Sequence, residues 1–491
     1  MTDRPLTLDA VGGVLRSAGL LREQHGPGDV AVMGVSQYSR SVTAGDLFLA
    51  WKGTAVDAHD HVAAAAEAGA VAAVVERRVD AAVPQLVVSD GRAAAAVAAH
   101  FVLGSPASDM TLVGITGTNG KTTTATLVAH LLEASGPAAT VGTLGVVDAS
   151  GVWPGTEGLT TPGPVQLARW LRRLSDAGVK YVAMETSSHA LEQRRLDGLR
   201  FAVGVFTNLT QDHLDYHGDL AAYRAAKARL AELVDGDGWL VLNRDDRAWD
   251  GLEQVGPRVC GFAVDGAARV RAEEIRLDAG GSRFTLVMDD ESFDVALPLL
   301  GGYNVENALA AAAAAWVVGV PAGEIARRLA TVPQVAGRLE AVTAEPCSVL
   351  IDFAHTPDAL EGALGAVKPL TRGRLIVVFG AGGDRDRTKR RPMAEAVARF
   401  ADVVVLTSDN PRTEDPERIL DDLALGLEGV AYHRIADRRK AICYALDMAR
   451  AGDTVVLAGK GHETYQVIGT DKRPFDERQV VRDCLSARGA A

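Results

Sequence analysis

The sequence predicts an α/β protein of three domains, and three observations carry that reading. Strand-like runs alternate with alanine-rich helical runs along almost the whole chain. A glycine-rich junction at residues 114–124 stands between one such strand and one such helix. The 491 residues, 47% of them apolar, exceed what one hydrophobic core supports and suffice for several.

In chain order the strand-like runs are AVAAVVE, PQLVVSD, TLVGITG (before the helical TTTATLVAHLLEAS), YVAMETS, FAVGVFTN, RLIVVFG, DVVVLTS and TVVLAG. Most are continuously apolar, as strands buried on both faces require, and parallel strands need helical crossovers between them. The stretch ALAAAAAAWVVGV (308–320) is too short to span a bilayer, ends at Gly319 and Pro321, and reads as a buried helix. Two turn-rich seams, LGSPASDMTL near 104–112 and VPQVAGRLE near 332–340, divide the chain into residues 1–108, 109–336 and 337–491. Residues 269–298 read as a small antiparallel insertion within the middle part.

The net charge of -12 gives no general attraction for nucleic acid or anionic lipid, so neither is an expected partner. Any phosphate bound here must be caught locally. Cys260, Cys347, Cys443 and Cys484 lack the paired short spacings of zinc sites and are expected to be reduced, as in a cytoplasmic protein. The opening MTDRPLTLDA has acids and a proline where an export signal would have a basic stretch and an apolar run.

The sharpest signal is GITGTNGKTTT (114–124). Glycines let backbone N–H groups converge on an anion, the helix N-terminus adds partial positive charge, and Lys121 adds a full one. Thr122 would place a hydroxyl on Mg²⁺. The spacing departs from the standard P-loop, which wants glycine at 115 where this chain has Ile115; glycines stand instead at 114, 117 and 120. Nucleoside triphosphate binding is the expectation. Phosphoryl transfer also needs metals and an acceptor, which draws attention to Glu185 in YVAMETSSHAL and to Asp212, His213 and His217 in FTNLTQDHLDYHG. Lys227 in AAYRAAKARL, taken alone, reads as a solvated helix lysine, and each histidine as a hydrogen-bonded structural group.

TGTNGKTT, METSSHALEQRR, TNLTQDHLDYHG, YRAAKARL, GGYNVENALAA, AGRLE, IDFAHTPDAL, FGAGGDRDRTKR, DNPRTEDP and AGKGHETYQ occur together and in order. With SRSVTAGDLFLAWKG before them, they resemble the Mur ligases from about residue 40 to about residue 466, and within that family the members that add diaminopimelate. The resemblance implies a small α/β N-terminal domain for a UDP-linked substrate, a central P-loop domain for ATP with helices on both faces of a parallel sheet, and a Rossmann-like C-terminal domain for an amino acid. It implies an ATP-dependent ligase acting through an acyl phosphate, with UDP-N-acetylmuramoyl dipeptide, diaminopimelate and ATP as substrates, as a cytoplasmic monomer.

The same resemblance implies the site. Gly117, Thr118, Asn119, Gly120, Lys121, Thr122, Thr123, Asn304, Asn307, Arg338 and Asp352 would hold ATP. Thr122, Glu185 and Lys227 would hold Mg²⁺, Lys227 after reaction with CO₂ to a carbamate, with His213 assisting. Ser39, Thr54, Ala55, Val56, Thr160, Thr161, Ser187, Gln193 and Arg195 would hold the UDP-linked substrate. The family commonly has asparagine where this chain has Leu159, and tyrosine where it has Phe353.

For the amino acid the resemblance implies Arg385, Asp409, Asn410, Pro411, Arg412, Gly459 and Glu463. Asn410-Pro411 stiffens the turn that carries Arg412, and a guanidinium suits the second carboxylate that distinguishes diaminopimelate from lysine. Without the family context, Arg412 reads as a surface partner of Glu414 or Asp415. A lysine-adding relative, a folylpolyglutamate-type ligase and a non-catalytic nucleotide-binding regulator remain the alternatives.

Overall fold

The apolar runs form separate sheets, each covered on both faces. The computed structural model describes residues 6–53, 56–156, 158–343 and 345–489. Among these residues the strands assemble into sheets of five, eleven and six strands and a two-stranded ribbon.

The five-stranded sheet spans residues 21–88, parallel except for its edge strand Leu21–His25. The eleven-stranded sheet has Thr111–Thr116 near its middle, between Phe201–Phe206 and Tyr181–Glu185, all parallel. Side chains alternate across that strand. Val113 and Ile115 face helices Lys121–Leu132 and Gly302–Val318, whereas Leu112 packs on the opposite face with Leu171 and Leu230. The six-stranded sheet is parallel apart from its edge strand Glu340–Thr343. Helices Pro357–Val367 and Arg390–Phe400 cover one face, and Arg438–Met448 and Glu477–Gly489 the other.

Each strand-like run named from the sequence contains a strand, and residues 308–318 lie in a helix whose Ala308–Ala315 segment is wholly buried. Residues 269–298 hold the expected antiparallel strands, Val270–Asp278, Gly281–Met288 and Glu291–Leu297, but they are not set apart from the central sheet, because Val270–Asp278 also pairs parallel with Arg258–Ala263. Hairpin periodicity shows which strands pair with each other but not which sheet edge receives them. Nor are all cysteines reduced. Cys443 and Cys484, 41 residues apart, form a disulfide between the two helices on one face of the six-stranded sheet. Spacing along the chain says nothing about helices packed side by side.

The alanine run lets the Gly302–Val318 helix lie close to the sheet and to helix Lys121–Leu132. Ala311→Leu should therefore overpack this contact and lower stability by about 1–3 kcal/mol, read as a shifted urea midpoint.

Candidate functional site

The strand Thr111–Thr116 ends in a loop that runs into helix Lys121–Leu132. Gly117 and Gly120 have φ of 147° and 84°, where a side chain would be strained. A Cβ at Gly117 would meet Thr207 Oγ1 at 1.9 Å, and one at Gly120 would meet Asn307 Oδ1 at 2.2 Å. The next strand's exit braces the loop: Thr118 N–H donates to the Asn208 carbonyl and Asn119 N–H to Asn208 Oδ1, both at 2.8 Å.

Two lysines converge on the loop. Lys121 Nζ donates to the Gly117 and Thr118 carbonyls at 2.9 Å, and Lys227 Nζ donates to the same Gly117 carbonyl at 2.7 Å. Lys227 is 1% exposed on helix Leu220–Glu232, with its amine 4.3 Å from the Tyr223 ring centroid. The solvated-lysine reading is therefore wrong, because the helix turns this position inward. Burial first, and then the charge of Lys121, push the Lys227 pKa well down, against the pull of Asp212. Burial also lowers that of Lys121, opposed by Glu185 and Asp212.

The histidines gather beside these lysines. His213 has a left-handed backbone at the start of helix Leu214–His217, and its Nε2 lies 3.4 Å from Asp212 Oδ2. The His189 ring lies 4.8 Å from His213 and 5.3 Å from His217. Burial, then the charges of His213 and His217, push the His189 pKa down to about 4.

Glu185, at the end of its strand and 2% exposed, accepts from Thr143 N–H at 2.7 Å and from Thr143 Oγ1 at 3.1 Å. The Glu185 carboxylate and the Thr122 hydroxyl are hard oxygen donors, and Glu185 is near enough to Lys121 for its charge to act there, as does that of Asp212. This set fits Mg²⁺ when a polyphosphate supplies the remaining oxygens. Among the described residues no three His, Cys, Asp or Glu form a metal cluster by themselves.

Thr161 Oγ1 donates to the Glu185 carbonyl at 2.8 Å and lies 3.2 Å from Ser187 Oγ, and Thr160 Oγ1 accepts from Thr143 Oγ1 at 3.3 Å. Arg195 donates to Gln193 Oε1 and, at 2.8 Å, to the Thr161 carbonyl. Gln193, Arg195 and Leu159 line a cavity of about 610 Å³ whose other wall includes Tyr38 and Ser41, the neighbours of Ser39 on its short helical turn. Val56 is exposed; Thr54 and Ala55 lie outside the described residues.

The C-terminal part reaches this loop. Arg338 Nη2 donates to Thr122 Oγ1 at 3.0 Å, with its guanidinium 5.1 Å from the Phe353 ring centroid. Asp352, at a strand end, accepts from the Leu339 and Ala354 N–H groups at 2.7 Å. Asn304 and Asn307 are buried and bonded to each other, and Asn307 Oδ1 accepts from Thr124 Oγ1 at 3.3 Å. Thr123 is buried in the first helical turn.

In the DNPR turn, Arg412 has φ 52° and is clamped to the ribbon: its N–H donates to the Val467 carbonyl at 3.1 Å and its carbonyl accepts from Gly469 at 2.7 Å. Its guanidinium donates to the Gly383 carbonyl at 2.7 Å and forms no ion pair among the described residues. Neither Glu414 nor Asp415 pairs with Arg412 among the described residues: Glu414 bonds Arg390 at 2.8 Å, and Asp415 accepts from the Glu417 N–H at 3.0 Å. Asn410 donates to Glu463 Oε2 at 2.8 Å, Pro411 is buried, and a Cβ on Gly459 would meet Asp409 Oδ2 at 2.5 Å. Arg385 is exposed and donates to the Asp384 carbonyl at 3.2 Å.

Sequence reasoning missed Lys460. This fully buried amine donates to Asn410 Oδ1 at 3.1 Å and Glu463 Oε2 at 3.0 Å, joining residues drawn from two strand ends. The signal was its place in AGKGHE between two residues assigned to the pocket. Thr143 carries no sequence signal, since only the tertiary fold sets it on Glu185.

Fold and loop define a nucleotide-binding protein of the P-loop class. The family description "Mur ligase family, catalytic domain" matches residues 31–102, "Mur ligase middle domain" residues 115–315, and "Mur ligase, glutamate ligase domain" residues 337–461. The UDP-N-acetylmuramoyl-L-alanyl-D-glutamate--2,6-diaminopimelate ligase of Geobacillus thermodenitrificans is 42% identical over 94% of this chain and 97% of its own, and that of Synechococcus elongatus 44% over 96% and 97%. A solved structure of a ligase with that name covers 99% of both chains at 33% identity, with a TM-score of 0.71. The chain belongs to the Mur ligase family.

The buried Lys227 amine supplies a test of this arrangement. Its pKa is lowered in the folded chain, so between that value and its ordinary 10.5 the unfolded chain binds more protons and stability rises with pH. Lys227→Met should be at least as stable as the parent near neutral pH, with the difference moving in the parent's favour as pH rises toward 10. Paired urea titrations at several pH values read it.

Proposed function

We propose that this chain is an ATP-dependent carbon–nitrogen ligase that adds diaminopimelate to the D-glutamate of UDP-N-acetylmuramoyl-L-alanyl-D-glutamate in cytoplasmic peptidoglycan precursor synthesis. It acts as a monomer, with residues 1–108 for the UDP-linked substrate, 109–336 for ATP and 337–491 for the amino acid. The observation that carries the choice of amino acid is Arg412, held on a clamped turn without a carboxylate partner among the described residues.

In this reading the N–H groups of residues 117–123 and Lys121 cradle the triphosphate, Asn304 and Asn307 shape the loop at the adenine end, and Arg338 and Asp352 close over phosphates and ribose. Thr122, Glu185 and Lys227, with His213 beside them, would hold Mg²⁺, which supplies charge neutralisation between triphosphate and carboxylate. Thr160, Thr161, Ser187, Gln193 and Arg195, with Ser39 and residues 54–56, orient the acceptor. A glutamate carboxylate oxygen attacks the γ-phosphorus and ADP leaves. The amine of diaminopimelate then attacks the acyl carbon, the C–O bond to phosphate breaks, and the amine gives up a proton. Asp409, Asn410, Pro411, Gly459, Glu463 and Arg385 frame the amino acid, while Arg412 binds its distal carboxylate.

Lys227 is suited to carbamate formation because burial and Lys121 favour the neutral amine that attacks CO₂ with loss of a proton. With ¹³C-labelled bicarbonate the parent should show a carbamate carbon signal that Lys227→Ala lacks; the same signal in both would reject the assignment.

Lysine would leave the half-buried Arg412 guanidinium without its carboxylate, so it should be disfavoured by a factor on the order of ten to a hundred. Phosphate release with ATP, Mg²⁺ and the UDP-linked dipeptide, run against meso-diaminopimelate, LL-diaminopimelate and lysine, tests the function. Arg412→Ala should lose most of the discrimination against lysine; an unchanged preference removes Arg412 from that role, and no release with any amino acid rejects the function.

A further inference from the structure

The cavity beside Gln193 lies at the seam between the five-stranded and eleven-stranded sheets. Across that seam Asp90 pairs with Arg194 at 3.2 Å and Arg169 Nη2 donates to the Val35 carbonyl at 2.9 Å. Four arginines line it, Arg92, Arg169, Arg173 and Arg195, and no acidic side chain does among the described residues. In a chain of net charge -12 this is a local reversal of sign.

Three of the four are occupied by neutral partners. Arg169 holds the Val35 carbonyl, Arg173 lies 4.3 Å from the Trp153 ring centroid, and Arg195 bonds Gln193 and Thr161. Arg92, half-buried in the first turn of helix Gly91–Val102, makes no hydrogen bond or ion pair with any described residue. Its neighbour Asp90 is taken by Arg194 and by the Ala93 N–H. On the same wall, Gln37 Oε1 is buried without a partner. Arg92 and Arg195 are close enough to feel each other's charge, which an anion between them would relieve.

We propose that Arg92, together with Arg195, takes the diphosphate of the nucleotide-linked substrate, so that Arg92 is a phosphate-reading residue of the acceptor site. The assignment rests on the function proposed above. A diphosphate offers several anionic oxygens to planar guanidinium donors. A peptide carboxylate shares that chemistry, but the one that reacts must approach the phosphate loop at Lys121.

Calorimetric titration of the full-length chain tests the assignment with two ligands: the UDP-linked dipeptide, and the muramoyl dipeptide without its nucleotide. Arg92→Ala should bind the UDP-linked ligand about 10- to 100-fold more weakly, and Arg92→Lys should recover part of the loss. The nucleotide-free ligand should bind parent and variant alike. KM for the UDP-linked dipeptide should rise while kcat and KM for ATP hold. The melting temperature should be unchanged, because no described side chain loses a partner. Equal affinity of parent and Arg92→Ala for the UDP-linked ligand overturns the assignment alone. An equal loss toward the nucleotide-free ligand gives Arg92 to a peptide carboxylate and also overturns it. A parent that binds neither ligand overturns the proposed function, and this assignment with it.

Discussion

Two lysine amines share one carbonyl oxygen, that of Gly117. Lys121 comes from the helix that follows the loop, and Lys227 from a helix more than a hundred residues further along. Holding two amines together in a poorly solvated place works against their protons and makes the site receptive to anions. Burial is the main cause of the lowered pKa of both lysines; Glu185 and Asp212 oppose it at Lys121, and Asp212 at Lys227. A polyphosphate held in the loop would favour the charged forms further. The glycines at 117 and 120, the bracing by Asn208 and the seat on Asn307 all keep this carbonyl in place.

The parallel sheets bring the other groups to the loop because the carboxyl ends of neighbouring strands open on the same side. Glu185 ends Tyr181–Glu185, the Thr207–Asn208 brace follows Phe201–Phe206, and Asp352 ends Ser348–Asp352. The DNPR turn follows Val403–Leu406, and the Gly459–Glu463 segment follows Thr454–Ala458. The bond from Arg338 to Thr122 connects the six-stranded sheet to the phosphate loop directly. A Cβ at Gly337 would meet the His462 backbone N at 2.3 Å, so the segment carrying Arg338 is threaded tightly under the Gly461 loop.

The surroundings of the DNPR turn and the cavity beside Gln193 use charge in opposite ways. Around Lys460 a buried cation is matched by Glu463 and Asn410, which fixes their side chains, while Arg412 forms no ion pair among the described residues and only feels the charges of Asp409, Glu463 and Asp384. In the cavity beside Gln193 four arginines stand without an acid among the described residues. An acidic chain that concentrates cations at chosen places is selective for anions of a given shape and repels others elsewhere.

The sequence by itself determined the strand and helix order, the phosphate loop and the family pattern, because apolar period, glycine placement and short spacings are local properties. The loop residues, Glu185 and the DNPR turn were legible for that reason, and so was the buried helix at 302–318. Only the tertiary structure decided that Lys227 points inward, that Thr143 holds Glu185, that Glu414 belongs to Arg390, and that Cys443 meets Cys484. It also decided that residues 270–297 extend the central sheet and that Arg92 shares a cavity with Arg195. Each of these depends on which face of an element meets another, and contacts between residues tens or hundreds of positions apart leave no mark in a single sequence.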